Sequence, residues 1–424
     1  MQAVVALTRP RYVWLWVTGG YIFQAIPAAI RDEALPIALK NTGSADALIT
    51  KVVASLGLIL GVKILLAPLI SLFAPKSFIL WTQFLITAVL AFLGWNIGGT
   101  LPSLGLILGG LMLVSFLAAS HDYALDGYFV GSLNDQSRAN YSGLVNFASK
   151  FGGVLCGPAL IWLAGTLMSH GASPHQAWSN AVYFAAAIAL LAVILNFISF
   201  RQEPSTPTDH LTVAERSKQM REGLTDLLRD PRLGAVLGLI FFYRASEIHM
   251  ARILPLFSMA PTAAGGLALS NESYAILRLW TAVGGLALGG LVGSLVVGLY
   301  GLRFSLVPLG IVMHLPLLLI AWLAYHPGQP PLIIGIVFFL EYLAYGAGLC
   351  ALLLSMMKVA AGPSAAVRYA ALSTFALLAN YLPGLWAGTL ATQFGYAHYF
   401  TGALLLSIPG IWVSFRARRH FEAA

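Results

Sequence analysis

Long apolar runs broken by short polar ones set the pattern of this chain. A bilayer-spanning helix needs about 20 apolar residues. By that ruler the sequence predicts twelve spans, at about 12–39, 46–73, 77–97, 103–130, 141–167, 177–200, 233–260, 272–299, 304–325, 331–357, 368–391 and 397–415. The only long polar segment, Arg201 to Arg232, falls between the sixth and seventh spans. It divides the chain into an N-terminal six-helix half (1–200), a linker (201–232) and a C-terminal six-helix half (233–424). Glu215, Arg216, Lys218, Arg221, Glu222, Asp226 and Arg229 recur there at helical spacing, which predicts an amphipathic surface helix after a flexible start at Pro204-Ser205-Thr206-Pro207. The expected fold class is all-α integral membrane.

Lysine and arginine give the orientation. With the N-terminus placed inside, sixteen of the 24 basic residues fall on the inner side and Lys40 alone outside, the other seven lying within spans. Positive loops stay cytoplasmic, so both termini are expected inside. This distribution also accounts for the net charge of +8 without a nucleic-acid partner. At 58% hydrophobic and 9% charged residues, the composition is that of a polytopic membrane protein. Cys156 and Cys350 both sit in apolar runs, which argues against a disulfide framework. A phosphate-binding glycine loop, a zinc-protease motif and a metal-type Cys/His cluster are all lacking, so neither ATP hydrolysis nor metal chemistry has sequence support. No cofactor is expected; the energy source would be a proton gradient.

Charges at membrane depth are costly and mark function. The seventh span carries Arg244, Glu247, His249 and Arg252, followed by Pro255. Glu247 lies three residues from Arg244, so a helix brings them onto one face. The first span repeats the design with Arg31, Asp32, Glu33 and Pro36. Charged, proline-interrupted helices in matching places of two halves point to a transporter site. In the fourth span Asp122 and Asp126 stand four residues apart, on one helix face beside His121. The tenth span carries Glu341. Every acid well inside a span therefore lies on the first, fourth, seventh or tenth span. Those are the helices that would line the central cavity of a six-plus-six transporter with three-helix repeats.

Lys63, Lys150 and Arg278 add to the positive charge at membrane depth. Arginine and lysine in a dry cavity suit carboxylates, phosphates or sugar hydroxyls. The expected substrate-binding set is Arg31, Lys63, Arg244, Arg252, Tyr243 and Tyr345. The expected proton-coupling set is Asp122, Asp126, Glu247, Asp32, Glu33 and Glu341.

Several stretches resemble the peptide/acetyl-CoA/drug transporter branch of the major facilitator superfamily, typified by AmpG-type muropeptide permeases. They are GVKILLAPLIS around Lys63 and Pro68, ASHDYALDGYF around Asp122 and Asp126, FFYRASE around Arg244 and Glu247, LEYLAYGAGLCALLLSMM in the tenth span and RYAALSTFALLANYLPGLWAG in the eleventh. The branch usually has an arginine shortly after the second aspartate; here Tyr128 and Phe129 follow instead. The resemblance implies a major facilitator fold of two six-helix halves and a monomeric permease of the bacterial inner membrane. It implies a symport mechanism and import of a small-molecule substrate, with muropeptides or amino sugars ranked first. Siderophores or other metal chelates come next. A transporter-like sensor is the alternative of another class, and an enzyme is not expected.

Overall fold

In a computed structural model, residues 12–62, 70, 73–99, 102–133, 135–202, 213–362 and 364–421 are described. The basic Arg9 and Arg11, the Lys63 and Pro68 of the second span, and the linker start at Pro204–Pro207 lie outside them. The described chain is helical throughout. Among the described residues nine stretches are long and apolar enough to cross a membrane. Two of these, Asn271–Tyr325 and Val367–His420, run to 55 and 54 residues. Each contains a glycine with positive φ, Gly301 at 73° and Gly395 at 75°. Such backbone is open to glycine and ends an α-helix. Each long stretch therefore turns back on itself as two spans. With the helix beginning at Asp46, which is described as far as Val62, this is consistent with the twelve spans that the hydropathy pattern predicts.

Local chemistry sets the helix starts. Pro75, Pro158 and Pro331 stand in the first turns of their helices, where no donor is needed. Ser103 and Ser270 cap theirs by accepting from the Leu106 and Ser273 amides. Large apolar side chains such as Trp81, Trp95, Leu299 and Trp412 stay outside, as a surface bathed in lipid tails requires. The eighth and tenth spans approach so closely at Gly289 that an added Cβ would lie 2.0 Å from the Leu343 carbonyl oxygen.

Two features position the site. First, three π-turns occur among the described residues: Ile30–Ala34, Leu239–Tyr243 and Thr281–Gly285. In the first, Pro36 has no N–H to give the Asp32 carbonyl, and the turn before it widens, so that the Leu35 amide donates to Ile30 O. The expected proline interruption is thus realised as a π-turn that contains Arg31, Asp32 and Glu33. In the seventh span the helix runs on through Pro255, and the break lies earlier, at the π-turn ending beside Arg244.

Second, the most extensive packing between halves lies towards one end, and Ala365–Tyr381 continues it along Asp46–Val62. Gly384–Leu405 packs on Asp46–Ile59, Asn271–Trp280 on Pro158–Ser169, and Ala245–Met259 on Leu35–Asn41. Here Asn271 Nδ2 donates to Asn41 Oδ1 at 2.8 Å, and Trp178 Nε1 donates to the same oxygen at 3.0 Å. Tyr396 Oη donates to Asp46 Oδ2 at 2.6 Å, and Asp46 also holds Lys40. The distribution of basic residues predicts this to be the outer end.

Candidate functional site: a guanidinium cluster between the halves

The charges of the first span meet those of the second half across the molecule. Arg31, 5% exposed, pairs with its neighbour Asp32 at 2.7 Å and donates to Tyr381 Oη at 2.7 Å. Tyr381 in turn donates to Asp32 Oδ2 at 2.8 Å. Arg252 approaches Asp32 from the seventh span at 3.7 Å, its guanidinium 4.6 Å above the Tyr381 ring. Arg278 of the eighth span pairs with Glu33 at 3.2 Å and lies 4.8 Å over Tyr342. Three guanidinium groups drawn from both halves thus surround two carboxylates of one π-turn.

Room for this cluster is built in. The fifth span breaks at Gly157, where an added Cβ would come within 2.9 Å of Glu33 Oε2. Several buried polar atoms have no partner here among the described residues: Glu33 Oε2, Arg252 Nε, Arg278 Nε and Glu341 Oε2. Buried polar atoms are normally satisfied, and a concentration of exceptions marks a place where a ligand or water completes the bonding.

A second group lies beside the first. Arg244 pairs with Glu247 at 2.9 Å, as their spacing predicts, and stacks 4.8 Å over Tyr345. Glu341, 6% exposed, is within electrostatic reach of Glu247, Arg278 and Arg244. His249 accepts from Trp386 Nε1 at 3.3 Å, and its Nδ1 meets the Ala245 carbonyl at 2.8 Å.

The sequence-derived candidates divide accordingly. Arg31, Asp32, Glu33, Arg244, Glu247, Arg252, Glu341 and Tyr345 fall in these two groups. Tyr243 is turned away: it is fully buried, and its hydroxyl donates to the Leu306 carbonyl, so it packs rather than lines the site. Asp122 and Asp126 stand apart. Asp126 is exposed and accepts from Tyr21 Oη at 3.1 Å, ten residues before Arg31, or about 15 Å along the first helix. His121 is buried against Gln83 at 3.0 Å within the first half. Lys63 lies outside the described residues.

Tyr381 and the pairing of Arg278 with Glu33 were not foreseen. A tyrosine within an apolar span offers no contrast to notice. Arg278 stood out as a charge, but its partner lies in the other half, where sequence spacing says nothing.

No family model matches the chain. It is similar to a protein described as putative transporter AmpG 4 in Rickettsia felis, 23% identical over 407 residues covering 92% of this chain and 93% of that protein. A protein of the same description in Rickettsia conorii is 22% identical over 307 residues, 71% of this chain and 70% of that one. Among solved structures, the D-xylose–proton symporter superposes with a TM-score of 0.71 at 12% identity, covering 96% of each chain. A bacterial homologue of the lysosomal transporter Spinster, inward-facing and unoccupied, gives 0.66 at 17% identity and 98% of each chain. The peptide transporter POT in complex with alafosfalin gives 0.68 at 12%, covering 96% of this chain and 95% of that one. The chain is a multi-pass membrane protein with the fold of the major facilitator transporters, similar in sequence to transporters named AmpG.

Proposed function

We propose that this protein is a secondary transporter of the bacterial inner membrane, with both termini cytoplasmic. It imports a polar or anionic solute of the muropeptide or amino-sugar class in symport with protons. The observation that carries the reading is the meeting of Arg31, Arg252 and Arg278 with Asp32 and Glu33 between the two halves. Guanidinium groups in a dry interior bind carboxylates strongly and with fixed geometry. Here the protein's own carboxylates hold that place, and an anionic solute would compete for the same donors. A site shared by both halves is what alternating access needs, because closing either side changes the contacts of the bound solute.

The stacked tyrosines suit a sugar ring beside an anionic group. Tyr342, Tyr345 and Tyr381 lie beneath Arg278, Arg244 and Arg252. The resemblance to muropeptide permeases favours a substrate that combines sugar and peptide. Asp32, Glu33 and Glu247 act as counter-charges to the arginines. The coupling proton falls to Glu341, with Asp122 and Asp126 of the fourth span in the coupling role that their spacing predicts.

Uptake by proteoliposomes under an imposed inward proton gradient tests the reading. The panel is labelled anhydromuropeptide, an amino sugar and a ferric siderophore. Accumulation of the first, abolished by a protonophore and lowered at least tenfold by Arg252→Gln, is expected. Accumulation of the siderophore alone would replace the substrate class while keeping the transport mechanism.

A further inference from the structure

Arg278 is the charged residue that joins the halves at the level of the site without belonging to either expected set. It reaches across to Glu33 at 3.2 Å, while Glu341 of its own half lies close by with one carboxyl oxygen buried and unpartnered. Tyr342, next to Glu341 on the tenth span, holds the guanidinium against that span. Trp280 stacks on Phe339, and Gly285 sits against the Phe339 carbonyl and Tyr342, so the eighth and tenth spans keep Arg278 and Glu341 adjacent whatever the halves do.

We propose that Arg278 exchanges carboxylate partners during transport, between Glu33 across the halves and Glu341 within its own. The exchange couples protonation of Glu341 to closure of the outer end. It rests on the reading of the protein as an alternating transporter. In the outer-closed arrangement Arg278 serves Glu33, and a charged Glu341 would be buried beside Glu247 without a partner of its own. Such a carboxylate is costly, and a proton on it removes the cost. When Glu341 loses that proton to cytoplasmic water, its new charge draws Arg278 away from Glu33. One of the two ion pairs between the halves at this level is then broken, the other being Arg252 with Asp32 at 3.7 Å, and the outer end opens more readily. A proton from outside returns to the Glu341 carboxylate, Arg278 goes back to Glu33, and the outer end closes. The guanidinium keeps its own protons throughout; one proton enters from outside and leaves inside in each cycle.

The groups facing Glu341 are Arg244 and Glu247 of the seventh span, Arg278 of the eighth and Tyr345 of its own. Arg244 is held by Glu247 at 2.9 Å, which leaves Arg278 as the cation able to change partners. His314 of the ninth span faces Glu247, and its Nδ1 donates to the Gly310 carbonyl at 2.6 Å. Glu33 faces Arg278 and Tyr274.

The test needs no substrate, so it is independent of the substrate assignment. Spin labels go on cysteines replacing His175 and Thr262, two exposed outer positions in opposite halves, in a background with Cys156→Ala and Cys350→Ser. The label distance is measured in lipid nanodiscs from pH 5 to pH 9. The unmodified site is expected to give a short distance at low pH and a longer one at high pH. Glu341→Gln should stay short across the range, because the amide mimics the protonated acid. Glu33→Gln should be shifted to the long distance even at low pH, because Arg278 has lost its partner across the halves. Glu341→Asp should keep a pH-dependent transition. Opposite shifts in the two glutamine variants would support the exchange. A transition surviving unchanged in Glu341→Gln, or a shift of both variants in one direction, would overturn it; a labelled parent with no transition between pH 5 and pH 9 would overturn it too.

Discussion

Tyr381 shows how one hydroxyl can organise several charges. It accepts from Arg31 and donates to Asp32, and its ring lies beneath Arg252. Tyr381→Phe keeps the ring and removes only the hydroxyl. Leaving buried charged partners short of a hydrogen bond costs about 1–3 kcal/mol. A fall in thermal stability of that size is expected in detergent, and an unchanged melting temperature would mean that water replaces the hydroxyl at no cost. Asp230 behaves differently, since it lies outside the spans. It accepts from Arg232 at 2.9 Å and from the buried Arg368. The hydrogen bond from Arg232 is the main reason its carboxyl is held down to about 2, against the opposing effect of burial. A carboxyl lowered in the folded state stabilises above its unfolded pKa of about 4, and that stabilisation is lost as pH falls through 4 towards 2. The contribution is about 2 kcal/mol. Asp230→Asn should therefore be less stable than the parent at pH 7, and the gap should narrow below pH 4 and nearly close at pH 2. A constant gap down to pH 2 would assign the loss to packing instead. Much at this scale was legible beforehand, because a charge in an apolar run stands out: Arg31, Asp32, Glu33, Arg244, Glu247 and Arg252 needed no more than that. What spacing cannot give is a partner 350 residues away, as with Arg31 and Tyr381.

At the scale of the element, the hydropathy pattern located the spans but not their internal breaks. An α-turn and a π-turn present nearly the same periodicity, so the three π-turns beside Arg31, Arg244 and Arg278 left no trace that hydropathy could detect. Proline gave a partial signal, realised before Pro36 and passed through at Pro255. The outer contacts were equally hidden, since Asn41, Asn271 and Trp178 at span ends read as ordinary interfacial residues. Close approach of elements gives the most direct expectation here. A Cβ at Gly388 would lie 2.3 Å from the Asp46 carbonyl oxygen and 2.5 Å from Thr50 Oγ1, in the packing between the halves. Gly388→Ala should hinder outer closure rather than unfold either half. The spin-label pair across the outer end is expected to shift to longer distance at every pH, with helicity unchanged. A short distance in this variant would mean that the second span yields without separating the halves.

At the scale of the whole molecule, the fold followed from a sum of apolar runs, one long polar interruption and a bias of basic residues. The function follows from where the two halves meet. Hydrophobic packing holds each half together and also crosses between them, with Tyr274 and Ala275 against the first half and Ile49 against the second; guanidinium–carboxylate contacts and hydrogen bonds between Asn41 and Asn271 join the halves beside it. Buried ion pairs add little net stability, but breaking one partner is costly, so such contacts suit a joint that must open and close as a unit. The measurement that tests this most directly is accumulation of labelled anhydromuropeptide by proteoliposomes under an imposed inward proton gradient. Concentrative uptake that collapses with the gradient, and is lost in Arg252→Gln, is the result expected. Failure of every anionic and sugar solute in the panel to accumulate, with protein that is folded and correctly inserted, would contradict the assignment of this cluster as the site of a proton-coupled importer.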